Sequence, residues 1–486
     1  MSERLEWNNS ISFVFAMIGA AVGLGNIWRF SYVLYSNGGG SFFIPYFCAI
    51  AILGIPFLIL EYGVGFSFKD SFSNVLKSID ERFEYVAWML ILFLFIVGTY
   101  YMVILSWDLV YLISSLTFSW GADPTNYFAT FVGGSSDFTN ALSFIVPTTI
   151  SVILLWFVLW FISHKSLNDG IGKVTKVLIP ALFVMMAFII VYAFTLPGHM
   201  LGIDALIRPK WGMLLNIDIW LAAFAQILFS LSMGQAIALT YASYLPEGSK
   251  LSDNVLLVVV SNSLFEIFTA FGVFSILGYM SLHSGIRLGD LVSEGTGLVF
   301  DVFPMIFNVM GPMARVLAPL FFLAIMFAGI TSALAIFEPT LSSVCTKFNL
   351  SRRRAAAILS IIGCLISIIY TTGIGSYLVG VVDLFVNQFG ILFLIGVQCV
   401  IFAWFYRIED LIPIINEHSS FKVGKIWVFI IKYILPVLIF GMWIYGLYDL
   451  FTEAAQFEII VDLIILGLVL AFSLILTRLK PNEDTQ

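Results

Sequence analysis

Apolar residues run along this chain in blocks, and twelve of the blocks are long enough to span about 30 Å of hydrocarbon. They lie near 10–36, 40–68, 84–117, 143–163, 173–195, 217–244, 252–282, 313–346, 354–371, 376–406, 425–447 and 457–477. Several exceed a perpendicular crossing, so tilt or extension beyond the bilayer is expected. Polar connections are short except at about 118–142 and 283–312. Within the second, Leu298–Val309 is apolar enough to form a short helix dipping back toward the membrane.

The interruptions inside these blocks say more than the blocks. The first contains Gly19-Ala20-Ala21-Val22-Gly23-Leu24-Gly25-Asn26 at its centre. Glycine weakens a helix by about 1 kcal/mol relative to alanine. Backbone freed from helical bonding cannot face lipid, so it must pack in protein or line a cavity. The sixth block repeats the pattern with Phe229-Ser230-Leu231-Ser232-Met233-Gly234-Gln235. The two breaks are five spans apart, an odd number, so the second unit would be inverted relative to the first. Paired interruptions of this kind mark a transporter's binding site, with carbonyls for a cation and N–H groups for an anion.

Composition supports the membrane reading: 60% of residues are apolar, 11% are charged, and mean hydropathy is +1.01. The net charge of −7 is spread over loops and decides little. The basic residues decide orientation. With a cytoplasmic N-terminus, 17 Lys and Arg, from Arg4 to Lys480, fall in inside loops, and only Arg208, Lys210 and Arg287 fall outside. That asymmetry predicts both termini in the cytoplasm and an even number of spans in a cell membrane. No cleavable signal is expected at the acidic N-terminus. Cys48, Cys345, Cys364 and Cys399 lie in or at the ends of spans and suggest no disulfide framework. The four histidines are dispersed without metal-ligand spacing. No Ser/His pair, paired-aspartate motif or HExxH sequence points to an enzyme, and nothing points to a nucleic-acid partner.

The polar groups within the spans are few. Asn26, Ser230 and Asn262 offer hard oxygens in spans one, six and seven. Thr331 and Ser332 add hydroxyls one turn after Ala328 in span eight. Such a set suits alkali or alkaline-earth cations. Glu61 and Glu266 are carboxyls at depths where a charge costs at least about 2.5–3.5 kcal/mol, so they read as functional. Glu338 and Asp383 lie nearer span ends, where snorkelling is cheaper. Arg29 follows the first break by one turn and could pair with Asp383 across an access path. Tyr101 places a phenol where it could donate to an anionic ligand.

Trp28-Arg29-Phe30, Asn37-Gly38-Gly39-Gly40, Ile44-Pro45-Tyr46 and Gly54-Ile55-Pro56 follow the first break in order. Thr240-Tyr241-Ala242-Ser243-Tyr244 and Ala328-Gly329-Ile330-Thr331-Ser332 come later. In these motifs the chain resembles the neurotransmitter:sodium symporter family, most closely its prokaryotic amino-acid branch, over nearly its whole length. The resemblance implies an all-α polytopic membrane protein of one domain, 1–486. It has twelve transmembrane helices, a 5+5 inverted repeat (10–195 and 217–406), spans eleven and twelve at 425–477, and unwound spans one and six.

The resemblance also implies two sodium sites. One uses the Ala21 carbonyl, Asn26, Ser230, Asn262 and the substrate carboxylate. The other uses the carbonyls of Gly19, Val22 and Ala328 and the hydroxyls of Thr331 and Ser332. The substrate carboxylate meets the N–H groups of Leu24 and Gly25 and the Tyr101 hydroxyl. Its amine meets carbonyls of Ala21, Phe229 and Ser230, with Ser232 helping. Val97, Phe229, Gln235, Ser332 and Ile336 surround its side chain. Arg29 and Asp383 form an outer gate, and Arg4, Trp7 and Tyr244 belong to an inner one.

This sequence departs from the family at named positions. Ser230 keeps a hydroxyl where the branch has threonine. Gln235 replaces an aromatic pocket wall. The inner-gate aspartate is replaced by Thr346, which leaves Arg4 without its usual partner and makes Glu338 a possible substitute. Glu266 stands where chloride-dependent members have serine, and Gly23 where monoamine-selecting members have aspartate. The expected function is sodium-coupled, chloride-independent import of a neutral amino acid by alternating access, by a monomer or homodimer. Proton coupling through Glu61 or Glu266 is the alternative within transport, and an ion channel is the alternative outside it.

Overall fold

The structure is a computed structural model that describes residues 5–292, 295–453 and 455–479. The expected inner-gate residue Arg4 and the basic Lys480 lie outside the described residues. The described residues form helices and no strand; one isolated bridge joins Phe144 and Thr372.

The first span is α1 (Ser10–Ala21) and α2 (Leu24–Ser36), bent by 53° at a two-residue break. There follow α3 (Gly39–Phe68), α4 (Phe83–Ser114), α5 (Val146–Ser163) and α6 (Asn168–Ala193), each long and apolar enough to cross a membrane. A short helix α7 (His199–Ile207) leads to α8 (Ile217–Ser230) and α9 (Ile237–Ser243), the two parts of the expected sixth span. The chain continues through α10 (Leu251–Ser284), α11 (Ala314–Phe348), α12 (Arg352–Ile369), α13 (Gly375–Phe405), α14 (Lys425–Tyr448) and α15 (Gln456–Arg478). Nine described helices qualify as membrane spans on length and apolarity, and the bent pair makes ten. The expected spans at 217–244 and 354–371 are helical but fall short. One is broken into two short pieces, and the other opens on Arg352-Arg353-Arg354. Leu298–Val309 is the short apolar helix that the sequence suggests.

The core is centred on α1, α4, α10 and α11, with α11 packed along α4. By contrast, only 11% of the best span window of α15 is buried inside the protein, which places it on the rim. Lys347 of α11 and Glu84 of α4 form a buried ion pair at 2.6 Å, and Lys77 adds a second contact to Glu84 at 2.9 Å. Lys347 also reaches the Thr477 carbonyl of α15 at 3.4 Å, tying the rim helix to the core at this face.

Close helix approach depends on missing side chains. At Gly202 in α7 a Cβ would lie 1.6 Å from the Phe274 carbonyl oxygen of α10. At Gly278 in α10 a Cβ would lie 2.5 Å from the Gly198 carbonyl oxygen. Small residues let backbones meet where lipid provides no hydrophobic drive between helices. Gly202→Ala should therefore force α7 off α10 and cost about 1–3 kcal/mol. Thermal unfolding in detergent should show this, whereas Gly212→Ala, with nothing within 4 Å of its Cβ position, leaves the midpoint unchanged.

Candidate functional site

The first break resolves part of its own backbone demand. Val22 N–H still bonds the Ile18 carbonyl at 2.7 Å, which ends α1. Gly23 N–H donates to Asn26 Oδ1 at 2.9 Å, so a side chain of α2 satisfies the residue before that helix. Leu24 and Gly25 open α2, where N–H groups have no preceding turn to bond. Near them stands the Tyr101 hydroxyl of α4, buried beside the Leu24 N–H and the Ser332 side chain, with no well-formed hydrogen bond among the described residues. A Cβ on Gly23 would come within 3.0 Å of Ser332 Oγ and 3.6 Å of Tyr101 Oη, so the glycine keeps this space clear.

The second break is a turn at Leu231–Ala236 in which Ser232, Gly234 and Ala236 all have positive φ (50°, 68° and 61°). Only glycine takes that region freely, so Ser232 and Ala236 carry strain of the order of 1 kcal/mol each. Neighbours hold the turn in place. Gln398 Nε2 donates to the Gly234 carbonyl at 2.7 Å, and a Cβ on Gly234 would strike Ile395 at 2.5 Å. Ser232 Oγ donates to the Ala20 carbonyl at 3.1 Å, which joins the second break to the first. With its proton given to this carbonyl, the Ser232 oxygen keeps its lone pairs and can still accept from an amine, the role expected of it.

Two oxygen sets flank these breaks. On one side Asn26, Ser230, Asn262 and Glu266 are linked directly. Asn26 Nδ2 donates to Asn262 Oδ1 at 2.8 Å and to Glu266 Oε1 at 3.2 Å, and Asn262 Nδ2 donates to Ser230 Oγ at 2.7 Å. Glu266 also accepts from Ser230 Oγ at 2.6 Å, Gln226 Nε2 at 2.8 Å and Tyr46 Oη at 2.6 Å. All six side chains are buried. The carboxylate thus has four donors, which suits an ionised group held out of water. On the other side Ser332 Oγ donates to the Gly19 carbonyl at 3.0 Å, and Thr331 Oγ1 donates to Ala328 O at 2.9 Å. Gly19 lies against Thr331, with a would-be Cβ at 2.9 Å from Thr331 Cβ. The carbonyls of Ala21 and Val22 lie in the same buried stretch. Neutral oxygens beside one carboxylate form a hard donor set that fits small alkali cations.

The expected side-chain wall is partly assembled. Val97, Gln235, Ser332 and Ile336 are buried and Phe229 is half-buried. The Gln235 amide makes no hydrogen bond to another described residue. Arg29 lies over the Phe229 ring, 5.2 Å from its centroid, and within electrostatic reach of Asp383. Asp383 is exposed and accepts from Asn387 Nδ2 at 2.8 Å. On this side of the breaks Arg29 and Phe229 are half-buried and Asp383 meets solvent.

The opposite side is sealed. Trp7 N–H donates to the Tyr244 carbonyl at 2.8 Å, and its indole Nε1 donates to the Tyr241 carbonyl at 2.9 Å. Tyr244 Oη donates to Glu338 Oε1 at 3.1 Å. Glu338 is fully buried, not snorkelling, because Arg352 meets it with two bonds of 2.6 Å. Arg352 also donates to the Ser163 and Lys165 carbonyls at 2.8 and 3.0 Å. Thr346 is exposed and bonds only the Ser342 carbonyl of its own helix. Sequence reasoning passes over Arg352, since the Arg352-Arg353-Arg354 run reads as inside-loop charge. The signal available is its place at the very start of a span, within reach of the preceding one.

The chain is similar to known proteins over most of its length. A profile of the sodium:neurotransmitter symporter family matches residues 4–130 and 121–477. An uncharacterized sodium-dependent transporter of Methanocaldococcus jannaschii is 36% identical over 441 residues, covering 90% of this chain and 89% of its own. A sodium-dependent dopamine transporter of Caenorhabditis elegans is 26% identical over 493 residues, covering 90% and 80%.

Removing one partner of a buried ion pair strands the other, at a cost of about 3–5 kcal/mol. Arg352→Met should destabilise the protein by that order in a detergent thermal-shift assay. The double variant Arg352→Met/Glu338→Leu should recover much of the loss, because no charge is left unpaired.

Proposed function

The chain belongs to the sodium:neurotransmitter symporter family, whose members are transporters and not enzymes, and on that premise we propose that it is a sodium-coupled importer of a neutral α-amino acid. The reading includes twelve crossings of the cell membrane, cytoplasmic termini, the inverted repeats 10–195 and 217–406, and alternating access around the two breaks. The side of Arg29 and Asp383 faces outside, and the Trp7–Tyr244–Glu338–Arg352 contact closes the inside.

One observation carries the reading. Two helix breaks are joined through Ser232 and Ala20, and the buried Tyr101 hydroxyl beside the Leu24 N–H of α2 has no well-formed acceptor among the described residues. A substrate carboxylate supplies that acceptor. It also brings a negative charge toward Ala21, Asn26, Ser230 and Asn262, the expected ligands of the first sodium. Gly19, Val22, Ala328, Thr331 and Ser332 provide the second set. Two ions moving down about 100 mV release roughly 2 × 2.3 kcal/mol. At about 1.4 kcal/mol per decade, that supports roughly a thousand-fold gradient of a zwitterion. Gln235 presents an amide to the ligand's side chain, so a partly polar or small neutral substrate suits the pocket better than a purely aliphatic one.

Specific uptake into proteoliposomes tests this. A screen of the twenty amino acids should give uptake with a sodium gradient and none with potassium. Decarboxylated amines should fail to compete, because Gly23 offers no acid to replace the ligand carboxylate. Competition by tyramine or tryptamine equal to that of the parent amino acids would overturn the assignment.

Chloride is the second test. Glu266 places a carboxylate beside the first sodium set, and a further anion at about 4 Å would be repelled by roughly 4 kcal/mol at an effective dielectric of 20. Transport should persist when gluconate replaces chloride on both sides, and Glu266→Ser should create a chloride requirement.

A further inference from the structure

Asp108 sits in α4, seven residues beyond Tyr101, and belongs to neither sodium set, neither gate and no part of the substrate pocket. It is fully buried, and neither carboxyl oxygen has a hydrogen-bond partner. No Lys, Arg or His among the described residues lies within 4.0 Å of it. Its helix neighbours define where it points. Leu105, three residues before, fills the space over Gly329 of α11, whose Cβ position is 2.2 Å from Leu105 Cδ2. Tyr111, three residues after, packs against Phe322 of α11 with ring centroids 5.4 Å apart. Residues spaced by three share a helix face, so Asp108 lies on the face that closes against α11.

That face is apolar. Between Arg315 and Glu338, α11 carries no acid, base or histidine. On α4 itself the titratable neighbours are Tyr101, which feels the Asp108 charge, and Tyr111. Beyond Tyr111 stand Asp301, Asp123 and Tyr127 of the loops. The span α5 has no titratable residue before His164, and α12 has only Cys364 beyond its opening arginines. On α13, Asp383 is held by Asn387 and Tyr377 by Glu458 of α15, where Asp462 is the other acid. None of these is a counter-charge for Asp108. No group of three or more His, Cys, Asp or Glu residues among those described could hold a metal ion.

The other buried carboxylates make the contrast. Glu266 receives four donors and Glu338 receives a bidentate guanidinium. Glu61 of α3 makes no well-formed bond among the described residues either, but it faces the Gly234 backbone N–H of the second break. A carboxylate with no donor in a dry interface is too costly to keep, whereas the neutral acid can donate its own proton to a carbonyl of its helix. Thr99, Ser106 and Ser114 of α4 already bond this way, to the carbonyls of Ile96, Val103 and Val110 at 2.7, 2.6 and 2.8 Å.

We propose that Asp108 is a proton-binding site. Its carboxylate takes one proton from a hydronium ion as α4 and α11 close on it, the hydronium O–H bond breaking to leave water as the carboxyl O–H bond forms, and returns that proton to water when they part. The proton is thus a ligand of the closed α4–α11 contact, separate from the sodium sets.

Infrared spectroscopy of the purified protein tests occupancy without sodium or substrate, so its outcome stands apart from the transport reading. The carbonyl stretch of a protonated carboxylic acid should be present at neutral pH and weaker in Asp108→Asn. Asp108→Ser, which can bond its own helix as Ser106 and Ser114 do, serves if the amide variant does not fold. Sodium-driven uptake tests exchange. The wild-type rate should fall toward alkaline external pH, approaching tenfold per pH unit once the proton is lost, and the variant should lack that fall. Identical infrared bands in wild type and variant, or an unchanged pH profile, would overturn the proposal.

Discussion

Backbone polar groups in hydrocarbon have no water to turn to, and each one left unmatched costs several kcal/mol. Everything at the centre of this protein stems from opening two helices against that constraint. Asn26 folds back onto Gly23, Gln398 caps Gly234, and Ser232 bridges to Ala20. These contacts leave the Leu24 and Gly25 N–H groups and the Ala21 and Val22 carbonyls with no backbone partner among the described residues, a remainder whose polarity a zwitterion and its cations would match. On the proposed reading, the binding site is the residue of an incomplete repair.

Charge is handled by the same rule. Glu266 is surrounded by donors, and Glu338 is matched by the fork of Arg352 with Tyr244 beside it. Glu84 is held by Lys347 and Lys77. Each of these acids ties together helices distant in sequence, and each sits where helices converge. Polar cost is concentrated at few points, while the rest of the interior is packed with aromatic and aliphatic side chains.

Much of this was legible in the chain. The apolar blocks located the helices, and glycine beside asparagine or serine within a block located both breaks to within a few residues. The oxygen donors Asn26, Ser230, Asn262, Thr331 and Ser332 stood out because hard ligands are rare in such segments. The features that stayed hidden depend on side-chain direction. Arg352 looks like its neighbours Arg353 and Arg354, and only the packing of α12 against α11 turns it inward. That Ser232 bridges the two breaks by donating to the Ala20 carbonyl follows only from the αL turn at 232–236. Asp108 gave no signal because a single acid near a span end reads as interfacial, and burial by Tyr111 and Phe322 is a property of assembled helices.

The expected sixth span, found in two short helices, also bears on how the protein is made. The 14 residues of α8 and the 7 of α9 rise roughly 21 and 10 Å at 1.5 Å per residue. Neither covers a bilayer core of about 30 Å. A nascent chain therefore cannot commit this segment to lipid on its own apolarity, as it can α4 or α10. Its turn has to be shielded by α1 and α2, made earlier, and by Gln398, made more than 150 residues later. Insertion of the sixth segment is thus unfinished until α13 has left the ribosome, and truncation before α13 would strand it half-seated at the membrane.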